Sequence, residues 1–193
     1  MIIRKLFKFE NAHIVRNCST RRCSENIHGH SYKIEVLLES NYLDNGQMVY
    51  DFGLTKLYIK TLIDSFDHAI TLWSEDEAGY LDAMKRYSQR WVELPVSPSA
   101  EQFARIFFLM IERVLVSTQK KNGEKEVKLH SIIVHETDTG YAQAFEADAH
   151  SVLMGTIDLN QIVFSSQVRS EWDDGELWAK LLAGEMLAVP AKV

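Results

Sequence analysis

Side chains alternate in two segments: in residues 2–9, Ile3, Phe7 and Phe9 share one parity that Lys5 breaks, and in residues 30–38 the even-numbered positions from Tyr32 to Leu38 are apolar. Successive side chains of a β-strand point to opposite faces, so this alternation predicts two strands that each bury one face. An Asp-Asn-Gly sequence at residues 44–46 is typical of a tight turn, and residues 47–50 are predicted to return as another strand.

Apolar residues then recur at intervals of three and four, the spacing of a helix that buries one face. This spacing predicts one amphipathic helix over residues 54–67. A second helix begins at residues 97–101, where a serine cap, a proline and an early acidic residue form a helix start. A charged loop over residues 119–128 ends it, and strands over residues 129–136 and 141–146 follow.

Two segments lie outside this four-stranded, two-helix core, which belongs to residues 1–148. Residues 74–96 are predicted to form an insert with a helix, and residues 149–193 a C-terminal extension that ends in a helix over residues 171–187. The tryptophans and leucines of the extension form more apolar surface than a free tail exposes. The extension is therefore predicted to pack on the outer face of the subunit or across a subunit boundary, without supplying a metal ligand or a catalytic side chain.

The composition excludes several classes of protein and of partner. With 193 residues, of which 46% are hydrophobic and 25% charged, the chain is typical of a globular protein with one main core, and disordered or collagen-like classes are excluded. It has 21 lysines and arginines against 27 acidic residues, a net charge of −6, so nucleic acid is not an expected partner.

No secretory segment is expected, because charges interrupt every short apolar run near the N-terminus. The most apolar stretch, residues 104–116, contains two charges and is too short to cross a bilayer. The two cysteines, Cys18 and Cys23, lie in one polar segment over residues 17–26, which predicts an exposed loop and no disulfide framework. A soluble, cytoplasmic protein without a membrane partner is therefore expected.

The sequence His28-Gly29-His30 stands at the start of the second strand. Residues two positions apart in a strand lie on one face at a Cα separation of roughly 6–7 Å, which lets both imidazoles converge on one ion. His13, near the end of the first strand, is the candidate third ligand. Three histidines without an obvious fourth protein ligand describe a catalytic zinc site with an open position, whereas two surface histidines are the alternative interpretation of the pair.

Cys23 precedes this pair in the polar loop, beside Arg21 and Arg22, whose charges favour a reactive thiolate. The alternative is a closed structural zinc site in which both cysteines join the two histidines. Structural sites usually separate their histidines by three to five residues, which disfavours that alternative. Cys18 is expected to be an exposed thiol without a role.

The pair Asp67-His68 closes the first predicted helix, and an acid beside a histidine can orient the ring for general acid or base catalysis. Glu136 ends an apolar strand, where a buried carboxylate needs partners such as two adjacent N–H donors of a ligand. Three other histidines lack a partner pattern and are expected to be structural or surface residues: His130, His135 and His150.

Several short motifs occur along the chain in the order that one known family shows. They are Phe9-Glu10-Asn11-Ala12-His13, Cys23 with His28-Gly29-His30-Ser31-Tyr32, Asp51-Phe52 with Lys56, Phe66-Asp67-His68, Pro98-Ser99-Ala100-Glu101 and Val134-His135-Glu136-Thr137. Together these motifs resemble those of the zinc-dependent 6-pyruvoyl tetrahydropterin synthases and of the related 6-carboxytetrahydropterin synthases. The resemblance covers residues 2–147, and the insert and extension exceed the compact members.

The resemblance implies a role for each matching residue: zinc ligands His13, His28 and His30, base Cys23, proton-transfer pair Asp67 and His68, and pterin anchor Glu136. It also implies the T-fold, an α+β fold in which an antiparallel four-stranded sheet carries two helices on one face. In that architecture the sheets close into a barrel in a homo-oligomer, a trimer or homohexamer, and the active sites lie at subunit boundaries.

The implied substrate is a small molecule, 7,8-dihydroneopterin triphosphate, with Arg16, Arg21 and Arg22 as candidate contacts of the triphosphate. The short loop before the two histidines resembles the bacterial 6-carboxy-forming members, which release acetaldehyde and serve queuosine and deazaguanine biosynthesis. A zinc-dependent lyase of the 6-carboxytetrahydropterin synthase type is therefore favoured. The alternatives are triphosphate elimination to 6-pyruvoyl tetrahydropterin and a noncatalytic, zinc-stabilised pterin-binding module.

Overall fold

A computed structural model describes residues 1–189, so the last four residues of the predicted extension, 190–193, lie outside the described residues. The strands are β1 (Ile2–His13), β2 (His28–Glu39), β3 (Ala69–Trp73), β4 (Trp91–Leu94), β5 (Lys128–His135), β6 (Tyr141–Ala144) and β7 (Val163–Phe164). The helices are α1 (Arg21–Glu25), α2 (Phe52–Thr55), α3 (Tyr58–Asp64), α4 (Ala78–Tyr87), α5 (Ala100–Ser117), α6 (Glu146–Ala149), α7 (Ser166–Ser170) and α8 (Leu177–Ala183). The strands form one sheet in the order β6-β5-β2-β1-β3-β4-β7.

Four antiparallel strands, β6-β5-β2-β1, form one half of this sheet and confirm the predicted four-stranded sheet. The longest pairing joins β1 to β2, from Ile2 opposite Glu39 to His13 opposite His28. On β2 the buried side chains alternate with more exposed ones, as the sequence pattern predicts. This pairing therefore places His13, at the end of β1, beside His28, at the start of β2.

Three further strands extend the sheet beyond β1, and the sequence patterns did not predict them. β3 runs parallel to β1, β4 runs parallel to β3, and β7 is antiparallel to β4. Four of the five residues of β3 are buried, so this strand has no alternation to reveal it. β4 comes from the insert and β7 from the extension, so both segments continue the same sheet as the core strands.

Helix α5 packs its apolar side chains on the aromatic residues of the sheet. The Ser99 side chain caps it by accepting a hydrogen bond from the Gln102 N–H at 3.3 Å, which confirms the predicted serine cap. Phe103 and Phe107 are fully buried, and their ring centroids lie 6.3 and 5.8 Å from that of Phe9. None of the helices within residues 1–189 combines the length and the hydropathy that crossing a membrane requires.

Three local predictions were wrong or incomplete. Residues 47–50 form no strand, because the Asp44 carboxylate accepts hydrogen bonds from the Gly46 and Met48 N–H groups and closes a compact loop. The helix predicted over 54–67 is divided into α2 and α3, and the predicted loop over 17–26 contains the short helix α1. In place of one helix over 171–187, the structure has α7 before that range and α8 within it.

The extension packs against the core through buried tryptophans, as its apolar composition predicts. Trp172 donates its indole N–H to the Ser65 hydroxyl at 2.9 Å. The rings of Trp172 and Trp178 lie 5.2 and 5.3 Å from the ring of Phe164, which belongs to β7. Burial of these large rings anchors the extension to the outer part of the sheet.

A buried arginine of α5 holds the loop between the core and the extension. The Arg105 side chain, with 3% of its surface exposed, donates hydrogen bonds to the carbonyls of Asp148, Ser151, Met154 and Gly155 at 2.6–3.2 Å. A guanidinium has five N–H donors in a fixed plane, so one side chain can satisfy several carbonyls of a loop. This contact fixes the course of the chain as it leaves α6.

Candidate metal centre and active site

Three histidines form a compact cluster at the end of the β1–β2 hairpin where the connecting loop leaves β1 and enters β2. His13 is the last residue of β1 and pairs across the ladder with His28, the first residue of β2. His30 lies two positions further along β2, on the same face as His28. One nitrogen from each of these histidines lies within 4.8 Å of the other two, so the structure brings together the three residues that the sequence selected as metal ligands.

The hydrogen bonds of the rings leave the Nε2 atoms available to a metal ion. The Nδ1 atom of His13 lies 2.7 Å from the Pro98 carbonyl, and the Nδ1 atom of His28 lies 3.0 Å from the Asn26 carbonyl. A carbonyl only accepts, so each Nδ1 donates its N–H, and in a neutral ring bonded in this way the lone pair is on Nε2. The Nε2 atom of His30 is buried without a hydrogen-bond partner in the described part of the chain.

The environment of the cluster favours the neutral imidazole at His13 and at His30, which is the form that binds metals. Burial lowers the pKa of His13 to about 4, although its hydrogen bond to the Pro98 carbonyl opposes this shift. Burial also lowers the pKa of His30, against the attraction of the Glu136 carboxylate. Two imidazoles in the neutral form, the adjacent imidazole of His28 and the bare, buried Nε2 atom of His30 fit a zinc ion with an open coordination position.

Gly29 is required here by the neighbouring strand. A Cβ atom at this position would lie 2.9 Å from the backbone oxygen of Asn11, which is closer than such atoms approach. The absence of a side chain at Gly29 therefore allows the close approach of β1 and β2 where the histidines meet.

Glu136 follows β5 and turns its carboxylate toward the histidine cluster. Its Oε1 atom accepts a hydrogen bond from the Tyr32 hydroxyl at 3.3 Å and lies 3.8 and 3.7 Å from the Nε2 atoms of His13 and His30. Tyr32 is fully buried, and its ring stacks on Phe9 with centroids 4.9 Å apart. Burial, with the adjacent Glu136 carboxylate, raises the pKa of Tyr32, so this hydroxyl stays a donor.

Neither cysteine joins the cluster, so the geometry gives no support to the closed site of two cysteines and two histidines. Cys18 donates its thiol hydrogen to the Thr20 carbonyl at an Sγ–O distance of 3.3 Å. Cys23 lies in α1, and its carbonyl accepts a hydrogen bond from the Val15 N–H at 3.0 Å. Because Val15 follows His13 by two residues, Cys23 is held next to the end of β1.

Arg16 connects the Cys23 segment to the insert and is already paired within the chain. Its guanidinium donates to the Asp76 carboxylate at 2.7 Å and to the Ser24 carbonyl at 3.2 Å, and it lies 5.0 Å from the ring centroid of Tyr80. Of the other two candidate triphosphate contacts, Arg21 pairs with Glu25 at the surface. The charge of Arg16 is therefore balanced by Asp76.

Asp67 and His68 contact each other beside β1. The Asp67 Oδ2 atom lies 2.9 Å from Nδ1 of His68, and its Oδ1 atom accepts a hydrogen bond from the Glu10 N–H at 2.7 Å. Burial alone raises the pKa of Asp67, but these hydrogen bonds outweigh it and hold the pKa below its ordinary value. Asp67 thus stays ionised and orients the His68 ring, with Nε2 left for a ligand.

His68 lines a cavity of about 550 Å³ together with Glu10 from β1 and with His30 and Ser31 from β2. Glu10 and His13 are three positions apart on β1, so their side chains point to opposite faces. The cavity nevertheless reaches the histidine cluster, because His30 lines it as well. Met84 and Ser88 of the insert also line the cavity.

Some residues of the site were missed by sequence reasoning. The Pro98 carbonyl orients His13, whereas the motif around Pro98 was interpreted as a helix start and as part of the family resemblance, without a contact to His13. Arg90 contacts the main chain at Asp67, and no local pattern marks it. The three histidines without an assigned role pair with acidic residues: His130 with Glu39, His135 with Glu35 and His150 with Glu112.

Comparison with known sequences gives a consistent result. A family model described as 6-pyruvoyl tetrahydropterin synthase matches residues 2–147. A Helicobacter pylori (strain J99) protein named 6-carboxy-5,6,7,8-tetrahydropterin synthase is 38% identical over 186 residues, which cover 96% of this chain and 93% of that protein. A protein of the same name from Aquifex aeolicus is 30% identical over 158 residues, covering 73% of this chain and 95% of that protein.

Solved structures share the fold. An uncharacterized protein from Wolinella succinogenes has a TM-score of 0.56 at 20% identity, covering 76% of this chain and 98% of that chain. The 6-pyruvoyl tetrahydropterin synthase of Caenorhabditis elegans has a TM-score of 0.52 at 17% identity, covering 75% of this chain and 94% of that chain. The expected T-fold is confirmed. Because the family model matches most of the sequence and the Helicobacter similarity extends over nearly all of it, this chain belongs to the 6-pyruvoyl tetrahydropterin synthase family.

Proposed function

We propose that this protein is a zinc-dependent 6-carboxytetrahydropterin synthase that acts on 7,8-dihydroneopterin triphosphate in deazaguanine and queuosine biosynthesis. The observation that carries the proposal is the cluster of His13, His28 and His30 with Glu136 beside it, in a chain 38% identical to a protein named for this activity. Complete retention of the candidate acid, base and ligand residues favours an enzyme over a noncatalytic binding module.

His13, His28 and His30 are proposed to hold the zinc ion through their Nε2 atoms. Bound there, zinc supplies Lewis acidity that makes the hydroxyls and the neighbouring C–H bond of the substrate side chain more acidic. The Glu136 carboxylate is proposed to accept two adjacent N–H groups of the pterin ring, a charge-assisted pairing that fixes the orientation of the ring. Tyr32 holds that carboxylate in place through its hydroxyl.

Proton transfer is assigned to Cys23 and to the Asp67–His68 pair. The Cys23 thiolate is proposed to remove the proton from the substrate carbon, and Nε2 of His68 to exchange a proton with the substrate oxygen. Asp67 supports the second step because its carboxylate at Nδ1 stabilises the charged imidazolium. The triphosphate is assigned to exposed basic residues, among which Arg22 is a better candidate than the paired Arg16.

We also propose a homo-oligomer, trimeric or hexameric, with active sites at the subunit boundaries. The support is that the fold of this family is expected to close its sheets into a barrel between subunits, where the Asp67–His68 pair of one chain can meet the histidine cluster of another. The two groups can serve one substrate when a second copy supplies one of them. The protein then needs no other macromolecular partner.

The decisive experiment is to identify the product by mass spectrometry after incubation of the zinc-loaded protein with 7,8-dihydroneopterin triphosphate. The expected products, formed with uptake of one water, are 6-carboxytetrahydropterin, acetaldehyde and triphosphate. Cys23→Ala should abolish product while zinc stays bound, and Cys18→Ala is the matched control that should remain active. Formation of 6-pyruvoyl tetrahydropterin, or of no product, would overturn the proposed activity.

The shared site is tested by mixing two inactive variants. Cys23→Ala and His68→Ala each lack one proton-transfer group, so hetero-oligomers of the two contain some sites with both groups intact. Random mixing in equal amounts should restore roughly a quarter of the wild-type activity if the groups come from different subunits. Absence of any recovery would show that each site is built from one chain.

A further inference from the structure

Arg90, at the end of the insert, contacts the main chain on which Asp67 and His68 sit. Its Nε donates to the Asp67 carbonyl at 2.9 Å, and its Nη2 donates to the Asp64 carbonyl at 2.9 Å. Its Nη1 donates to the Glu171 carboxylate, which belongs to the extension. The side chain is 19% exposed, so these three acceptors use most of its donors away from bulk water.

The segment that Arg90 contacts has an unfavourable backbone conformation. His68 has a φ of +52°, in the left-handed region that side chains other than glycine seldom adopt. Such a conformation is strained and persists only where the surrounding structure determines it. Here the His68 N–H donates to the Glu10 carbonyl at 2.7 Å, and the Glu10 N–H donates to Asp67.

These contacts hold the segment from two sides. β1 supplies Glu10 on one side, and Arg90 binds the two carbonyls on the other. The planar fork of an arginine can bind two carbonyls in fixed directions, whereas a lysine ammonium offers no such fixed pair of donors. Loss of Arg90 would therefore free the main chain at Asp67 while leaving the Asp67–His68 side-chain pair chemically intact.

We propose that Arg90 is a positioning residue, which sets the main chain at Asp67 so that the His68 ring faces the cavity, and that Glu171 keeps Arg90 in this place. This assignment rests on the proposed function of the Asp67–His68 pair. It gives both extra segments a part in the reaction, since Arg90 comes from the insert and Glu171 from the extension. Neither residue touches the substrate in this assignment.

The test compares Arg90→Met with Arg86→Met in the zinc-loaded protein. Arg86 is an exposed arginine of the same insert, so its variant makes the same change of charge. For Arg90→Met we expect kcat to fall about 10- to 100-fold, because misplacement of a catalytic group by an ångström has effects of that size. KM should stay within about twofold, because Arg90 does not bind the ground state. Zinc content should be unchanged.

A second measurement does not depend on activity. Amide exchange at His68, followed by NMR, should become faster in Arg90→Met and remain as in wild type in Arg86→Met. Guanidinium ion added to Arg90→Met should restore part of kcat, and Glu171→Gln should give a smaller loss than Arg90→Met. These results together support positioning.

The assignment is overturned if Arg90→Met keeps kcat within about twofold of wild type, or if its loss of activity equals its loss of folded, zinc-loaded protein. It is also overturned if the exchange of the His68 amide does not change. If the wild-type protein itself forms no product, the proposed function fails, and the exchange comparison alone decides whether Arg90 positions this segment.

Discussion

The two halves of the sheet differ both in how they are built and in what they carry. The antiparallel strands β6-β5-β2-β1 carry the three histidines and precede Glu136. Strand β3 begins directly after the Asp67–His68 pair, and β4 and β7 continue the sheet beside it. Arg90, which contacts the main chain at Asp67, directly precedes β4. Metal binding and substrate anchoring are thus assigned to the first half, and the support of proton transfer to the second.

The two halves also differ in how well a local sequence pattern predicts their strands. A strand of the antiparallel half has one buried and one wet face, so its sequence alternates. β3 is buried on both faces and lies parallel to two neighbours, so its position depends on contacts with distant segments. The histidines and Glu136 of the first half could therefore be predicted from the sequence. The contacts that hold the Asp67–His68 segment in the second half, such as that of Arg90, could not.

Removal of residues 150–193 should have the largest effect on the fold. The deletion removes β7 and α8, with the buried side chains of Phe164, Trp178 and Leu181. Each such side chain contributes about 1.5–3 kcal/mol, so the loss approaches the whole stability of a domain. We expect insoluble or unfolded protein by sedimentation and circular dichroism.

A milder version of this test uses single substitutions. Trp178→Ala should lower the melting temperature clearly, whereas Leu153→Ala, at a fully exposed position, should not. A truncated protein that remains soluble, folded and zinc-loaded would show that the antiparallel half is stable without the second half.

His28→Ala should have the next largest effect, on metal and activity but not on the sheet. Loss of one of three ligands should remove most bound zinc and all turnover, measured by elemental analysis and product assay. His150→Ala is the control, because His150 pairs with Glu112 at the surface. A variant of His28 that is fully active without zinc would contradict the assigned centre.

Arg105→Met should destabilise the protein by about 3 kcal/mol, because several loop carbonyls lose their donors. The measurement is urea unfolding at neutral pH. Arg113→Met changes an exposed arginine of the same helix and should stay within about 0.5 kcal/mol of wild type. Equal stabilities of the two variants would show that water replaces the guanidinium at the loop.

Glu35→Gln should remove part of the pH dependence of stability in the antiparallel half. Burial raises the pKa of Glu35, but hydrogen bonds from His135 and Arg4 outweigh it and lower the pKa below its ordinary value. The stabilisation is therefore complete above the unfolded pKa of about 4.3 and is lost as the pH falls through the lower, folded value.

With Arg4 largely exposed, we expect an effect of about 1 kcal/mol at pH 7. It should disappear at the acid end of a pH series of urea unfolding curves. Asp173→Asn, an exposed control in the extension, should leave the stability at neutral pH nearly unchanged. A constant difference between wild type and Glu35→Gln at all pH values would contradict this assignment.

Asp76→Asn should have the smallest effect, a change of a few-fold in the alkylation rate of Cys23. Arg16 binds both Asp76 and the Ser24 carbonyl, so weakening the first contact loosens the segment that carries Cys23. The rate is measured with iodoacetamide in a Cys18→Ser background. Asp82→Asn, in the same insert, is the control, and an identical rate in both variants would show that the insert does not constrain Cys23.

The histidine cluster could be predicted because its information is local. His28 and His30 share a face through strand alternation, and His13 ends the strand that pairs with theirs. Arg90 could not be predicted, since its partners Asp67 and Glu171 lie 23 and 81 positions away in the sequence. The contact between the Pro98 carbonyl and His13 could not be predicted either, because every residue type provides a main-chain carbonyl.

The pairing of His13 with His28 has a consequence for folding. A shift of one residue between β1 and β2 would place His28 opposite Ala12 or Ile14 and turn its side chain away from that of His13. A zinc ion bound by all three histidines would then select the native hairpin from slipped ones. Metal binding would thus stabilise the native register of strand pairing over the shifted ones. Zinc supplied during refolding should therefore raise the yield of correctly paired hairpin before the distant strands join.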